Sequence, residues 1–99
     1  MINKVYVRVL LSQVVTNYLV WQNARAAAAG FGLVNARRGF ETALAEMAGY
    51  LGGFDNAVSP SPIWREAFRV AALWRRDHRV TKHAMDRLIG TFSVHLGTL

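Results

Sequence analysis

The chain has 99 residues, 53% of them hydrophobic, with twelve Lys and Arg against six Asp and Glu and no Cys. That length suits a single domain, and the missing thiols exclude disulfides, thiolate zinc centres and cysteine nucleophiles. A net charge of +6 attracts nucleic acid, acidic protein and anionic lipid alike, without choosing among them.

The first predicted element is the apolar run "KVYVRVLLSQVVTNYLVW" at residues 4–21. A membrane span needs roughly 20 largely apolar residues, and Gln13 and Asn17 sit near the middle of this run, where unpaired amides are costly in hydrocarbon. A strand would use the alternation Val5, Val7, Val9, but the alternation fails at Leu10-Leu11 and no turn follows. A helix explains more. Lys4, Arg8, Ser12 and Thr16 recur every four residues and form one polar ridge. The pattern runs on into the alanines at 26–29, and Gly30 is placed to stop it. The expected helix covers residues 3–29, central to the fold. With one thin wet ridge, its apolar face is wider than one neighbour covers. This predicts a docking surface, with Tyr18 and Trp21 as anchors and Val14 and Leu10 beside them, because aromatic side chains dominate binding hot spots.

"GFGLVN" at 30–35 reads as a connector, with Asn35 capping a second helix. Ala36, Phe40, Leu44, Met47 and Leu51 then fall at helical spacing, Ala43 and Ala48 beside them, and Gly52-Gly53 end the element. Gly39 and Gly49 each weaken a helix by ~1 kcal/mol relative to Ala or permit close helix contact. Arg37 and Arg38 fall in the first turn of the helix so drawn. Positive charge is disfavoured there, while the exposed amides invite an anion, so the pair predicts an anion contact unless Glu41 neutralises it.

The Ser-Pro-containing segment at 52–62 reads as a crossover between two helical hairpins. Ser61-Pro62 starts a third helix that runs to Asp77, with Trp64, Ala67, Ala71 and Trp74 inward. Thr81 caps a fourth over 82–96, with Met85, Leu88, Ile89, Phe92 and Leu96 inward and Gly97 past its end. Trp21, Phe31, Phe40, Trp64, Phe68, Trp74 and Phe92 are expected in the core. The fold class is all-α: one compact four-helix domain over residues 1–99.

Between residues 65 and 87 stand seven basic and three acidic residues. Arg65, Arg69 and Arg76 share a stripe of the third helix, and Arg79 and Lys82 extend it. This stripe is either a solvated outer face or a contact for an acidic protein or for phosphate. "WRRDHRVTKHAMDRLIG" at 74–90 has the outline of a helix-turn-helix with Thr81, Lys82 and His83 toward DNA. Ordinary helical hairpins share that outline, and Trp74 points inward rather than forming a stacking platform.

His78, His83 and His95 have no metal spacing, and His83 and Asp86, one turn apart, suit a local hydrogen bond better than a catalytic pair. No Gly-rich phosphate loop occurs. The sequence therefore predicts a non-enzymatic interaction protein with no cofactor or metal: an assembly subunit, a homo-oligomer or a small regulator. It docks through its apolar N-terminal helix and offers an Arg-rich face to an acidic partner. Nucleic-acid binding through 65–87 is the alternative. A membrane or a small-molecule substrate is not expected. The absence of Cys and of a secretory signal pattern fits an intracellular, reducing compartment such as the cytoplasm.

Overall fold

The computed structural model describes residues 3–27, 31–54 and 62–95, and four α-helices account for most of them. They are α1 (Lys4–Ala26), α2 (Phe31–Leu51), α3 (Pro62–Asp77) and α4 (Lys82–His95). The all-α expectation holds, and the helix pairs pack into one domain with a 13.2 Å radius of gyration. Gly30, Ser61, Leu96 and Gly97, read above as helix signals, lie outside the described residues.

Helix α1 begins at Asn3, whose Oδ1 accepts the Tyr6 backbone N–H at 3.1 Å; an Asn cap satisfies one of the donors that a helix start leaves orphaned. The Asn3 N–H donates to the Tyr50 hydroxyl at 2.9 Å, and the Tyr6 and Tyr50 rings meet edge to face at 4.7 Å. The start of α1 therefore lies beside the end of α2. At the opposite end Tyr18 contacts Phe40 edge-on at 5.3 Å, and Trp21 stacks on Phe40 at 5.4 Å. The two helices form an antiparallel hairpin.

Two sequence expectations change here. Helix α2 starts at Phe31, so the connector expected at 30–35 is largely helical and Asn35 lies inside the helix rather than capping it. Local propensity is a weak prior, and burial of the helix against its neighbours overrides one glycine at position 32. The central element is also α2 rather than α1: α2 packs on both α1 and α3, while α4 packs chiefly on α3.

The core joins one face from each helix. Val7, Leu10, Leu11, Val14 and Tyr18 of α1 meet Phe40, Leu44, Met47 and Leu51 of α2, with Ile63, Trp64, Ala67, Val70 and Ala71 of α3 and Met85 and Leu88 of α4. Trp21, Trp74, Ile89 and Phe92 pack against this cluster while partly exposed. Thr81 caps α4 as expected, its Oγ1 accepting the Ala84 N–H at 3.1 Å.

The two α2 glycines behave differently. A Cβ on Gly39 would stand 2.9 Å from Asn17 Oδ1, whereas one on Gly49 would meet nothing within 4 Å. Asn17 is itself held, its Nδ2 donating to the Gln13 carbonyl at 2.7 Å. Gly39 thus marks the close approach of α1 to α2. Gly49→Ala is expected to raise unfolding stability by about 1 kcal/mol through helix propensity. Gly39→Ala should show no such gain, because the new methyl must displace Asn17. Urea denaturation of the two variants reads the difference.

Candidate functional site

Two surfaces stand out. The first is the outer face of α1. Leu10, Val14 and Tyr18, predicted above to dock a partner, are instead buried within the chain at 1%, 0% and 5% exposure. Trp21 is half-buried, with Phe40 stacked on it and the Arg25 guanidinium 5.7 Å from its ring centre. These residues form the inner arc of α1, since positions 7, 11, 14 and 18 recur on one helical face. What α1 presents outward is Val5 at 72%, Tyr6 at 43%, Val9 at 46%, Leu19 at 47% and Val20 at 51% exposure, with Ser12, Gln13 and Thr16 between them. No charged residue occurs between Arg8 and Arg25, so this stripe is uncharged along its middle. A helix apolar on nearly every side hides which arc will face inward; only the neighbour's position reveals it.

The second surface is a shallow basic groove centred on Arg37. Arg37 lines three adjoining hollows. One holds Trp21, Arg25 and Leu33. A second, of about 70 Å³, reaches across to Trp74, His78, Arg79 and Val80. The third runs along α2 past Arg38 to Ala45. Its acidic member, Glu41, sits 3.3 Å from Arg37 Nε, one turn along α2. Arg38 makes no ion pair among the described residues. The pair Arg37-Arg38 is not at a helix start, because α2 begins two turns earlier. The anion contact predicted from helix-terminal amides therefore loses its geometric basis. What the fold supplies in its place is the approach of Arg25 and Arg79 to Arg37 from other elements, which no local pattern in the sequence announces.

The Arg-rich stripe of α3 and α4 is largely engaged within the chain. Arg76 forks onto Asp77 at 3.0–3.2 Å and Lys82 Nζ donates to Asp86 at 2.8 Å. The Arg76 guanidinium holds Asp77 below the usual carboxylate range, chiefly through these hydrogen bonds, and Asp86 raises Lys82 above the usual ammonium range in the same way. Asp86 is thus tied to Lys82 rather than serving as a partner in a His83 dyad. Arg87 Nη2 donates to Glu66 Oε1 at 2.9 Å, and Arg69 Nε lies 3.9 Å from Glu66 Oε2. Arg75 crosses to α2, where its Nη1 donates to the Ala48 carbonyl at 2.9 Å. Helix α2 has no basic residue in its own last turn, so a cation from α3 complements that negative helix end. Arg65 lies on the exposed side of α3.

The turn between α3 and α4 takes its left-handed residue at His78, with φ 51°, a position that usually favours Gly. The His78 ring lies edge-on to Trp74 at 5.5 Å. In the helix-turn-helix outline expected at 74–90, Thr81 caps the second helix and the bend comes at His78, one residue before the Arg79-Val80 pair.

Burial raises the Tyr18 phenol above its ordinary value, with Asp86 adding to the effect and Lys82 and Arg25 opposing it. A phenol whose folded pKa is raised contributes stability that is complete below the unfolded value and is lost as pH climbs through the folded one. Wild-type stability is therefore expected to fall above about pH 10 by more than that of Tyr18→Phe. Ultraviolet absorbance of tyrosinate, recorded alongside denaturation in alkaline buffers, checks this.

Among the described residues no cluster of His, Asp or Glu could hold a metal ion, and no helix is long and apolar enough to cross a membrane. Comparison with protein-family models, with curated proteins and with solved structures returns no match.

Proposed function

We propose that this chain is a non-enzymatic interaction protein with two separate surfaces: the uncharged outer stripe of α1, which docks protein, and the basic groove around Arg37, which receives an acidic segment of a partner. The observation that carries the reading is the outer face of α1. Five of its large apolar side chains are at least two-fifths exposed, although the chain has enough apolar residues to complete a core from all four helices. Exposed apolar side chains grouped on the outer side of one helix in this way mark interaction sites.

The groove supports the second half of the proposal. Arg25, Arg37, Arg38 and Arg79 gather there against Glu41 alone, and Arg recognises carboxylates through two parallel hydrogen bonds. Nucleic-acid binding through 65–87 is the weaker reading, because Arg69, Arg76, Lys82 and Arg87 already face carboxylates of their own chain.

An acidic peptide with one aromatic residue, titrated against the protein beside a duplex oligonucleotide, tests the groove. The expected result is peptide binding that weakens as salt rises and drops at least tenfold in Arg37→Glu/Arg79→Glu. Tighter binding of the duplex, unaffected by those substitutions but lost in Arg65→Glu/Arg69→Glu, would replace this reading with the nucleic-acid one.

A further inference from the structure

We infer that the small hollow between Trp21, Arg37, Trp74 and Arg79 is the seat of a single alkyl carboxylate, and that Glu41 sets it against doubly charged anions. The inference rests on the reading of the groove as the site of an acidic segment, and it names the group that enters and the place it takes. The walls are apolar: Trp21 of α1, Phe40 of α2, Trp74 of α3 and Val80 of the turn before α4. Arg37, His78 and Arg79 supply N–H donors, and Glu41 is the one carboxylate among the described residues that line it. The hollow exists only where these elements meet. His78 takes the left-handed bend, with φ 51°, and Arg79 and Val80 after it line the hollow opposite residues of α1 and α2.

Size excludes larger guests. The hollow holds about 70 Å³, half of the ~150 Å³ of a cavity that takes benzene. A carboxylate on its methylene stem fits; an aromatic side chain or a nucleobase does not. Trp21 offers a guest ring no free platform either, since it stacks on Phe40 at 5.4 Å and carries the Arg25 guanidinium 5.7 Å from its centre. The arginines repel a cation. Charge then chooses among anions. Arg79 forms no ion pair among the described residues, and Asp77, two residues back, is held by the fork of Arg76. Arg37 faces Glu41 at 3.3 Å in an exposed pair one turn apart, a kind of pair that holds loosely. Arg37 and Arg79 against Glu41 leave one net positive charge, which a monoanion matches. A second negative charge would stay uncompensated against apolar walls, and that is costly. Phosphate is thereby disfavoured. An alkyl carboxylate lays its stem on the aromatic walls and turns its oxygens to the arginine N–H groups.

The chain has three Trp. Trp21 and Trp74 line the hollow while Trp64 lies in the core, so the indole N–H signals of a nitrogen–proton correlation spectrum report on the site with an internal control. Trp21→Phe and Trp74→Phe assign them. The probes are butyrate, its neutral analogue butyramide, the dianion sulfate, and an acetylated, amidated peptide with a single Glu. Each is titrated into the full chain at constant ionic strength and about pH 8, where histidine is neutral. Butyrate is expected to shift the Trp21 and Trp74 signals saturably, with a Kd on the order of 1–10 mM, and to leave Trp64 unmoved. Butyramide shifts none of them, and sulfate binds more weakly than butyrate. The Glu peptide moves the same two signals at lower concentration. Arg37→Gln and Arg79→Gln each weaken butyrate about fivefold or more. Glu41→Gln strengthens sulfate more than butyrate, which the loss of a merely structural ion pair would not do. Circular dichroism confirms that each variant is folded. No butyrate shift up to about 100 mM, well above the expected Kd, would overturn the inference. Equal shifts with butyramide, or sulfate tighter than butyrate on the wild type, would do the same. A Glu peptide that binds without moving Trp21 and Trp74 also overturns it, yet leaves the groove as the site of an acidic segment. Butyrate binding without peptide binding has the opposite meaning: the carboxylate seat stands, its occupant is a free acid, and the partner's acidic segment is ruled out.

Discussion

Trp64→Ala is expected to lower the unfolding free energy by about 3–5 kcal/mol, the usual cost of truncating a buried Trp. Trp64 is 1% exposed and is the largest of the fully buried side chains. It stands in the first turn of α3, with Phe68 one turn on at 6.4 Å. Its loss opens a cavity at the junction where the α3–α4 pair meets the central helix. A domain of this size holds about 5–15 kcal/mol in total, so the loss removes about a fifth of it or more. Trp21→Ala provides the contrast. Its ring is half-buried and contacts Phe40 and Arg25, so the expected loss is about 1–2 kcal/mol, from partial burial and the aromatic contact. Urea denaturation followed by far-ultraviolet circular dichroism separates the two. Equal losses would mean that Trp64 does not occupy the interior.

The second large effect is an asymmetry. Arg87→Ala is expected to cost about 2–3 kcal/mol, more than Glu66→Gln, which removes the negative charge but keeps an oxygen able to accept the same 2.9 Å hydrogen bond. The Glu66 side chain is 9% exposed and that of Arg87 is 45% exposed. Removing the arginine strands a buried carboxylate, whereas removing the negative charge leaves an arginine that water can solvate. Glu66 Oε2 is already buried without a hydrogen bond, and Arg69 at 3.9 Å compensates it only weakly. The double variant Glu66→Leu/Arg87→Leu should recover most of the stability lost in Arg87→Ala, because it also removes the buried carboxylate that the single change strands. A double-mutant cycle from thermal denaturation measures the coupling. If Glu66→Gln were the more damaging single change, the carboxylate would be better solvated than its burial implies.

This pair also shows where the chain was legible as a linear string and where it was not. Glu66 reads as an ordinary surface acid among arginines, and nothing at i±3 or i±4 announces Arg87 in the next helix. Pro62, Asp77 and Thr81 bounded α3 and the start of α4 correctly, because caps and proline act within one turn. The same rules failed at Asn35, since α2 begins earlier and gains its stability from packing on both α1 and α3.

The α1 helix divides the two kinds of knowledge most clearly. Its existence, its length to within a few residues and its excess of apolar surface were written in the order of its side chains, because helical spacing and the lack of charge between Arg8 and Arg25 are local properties. Which arc turned inward was not, and the residues first assigned to docking, Leu10, Val14 and Tyr18, became core. A helix apolar nearly all round has several inward orientations of similar hydrophobic gain. The choice among them falls to steric fit, here the close approach of Asn17 to Gly39 and the stacking of Trp21 on Phe40. Those contacts join residues far apart in the chain and exist only once α2 lies alongside α1.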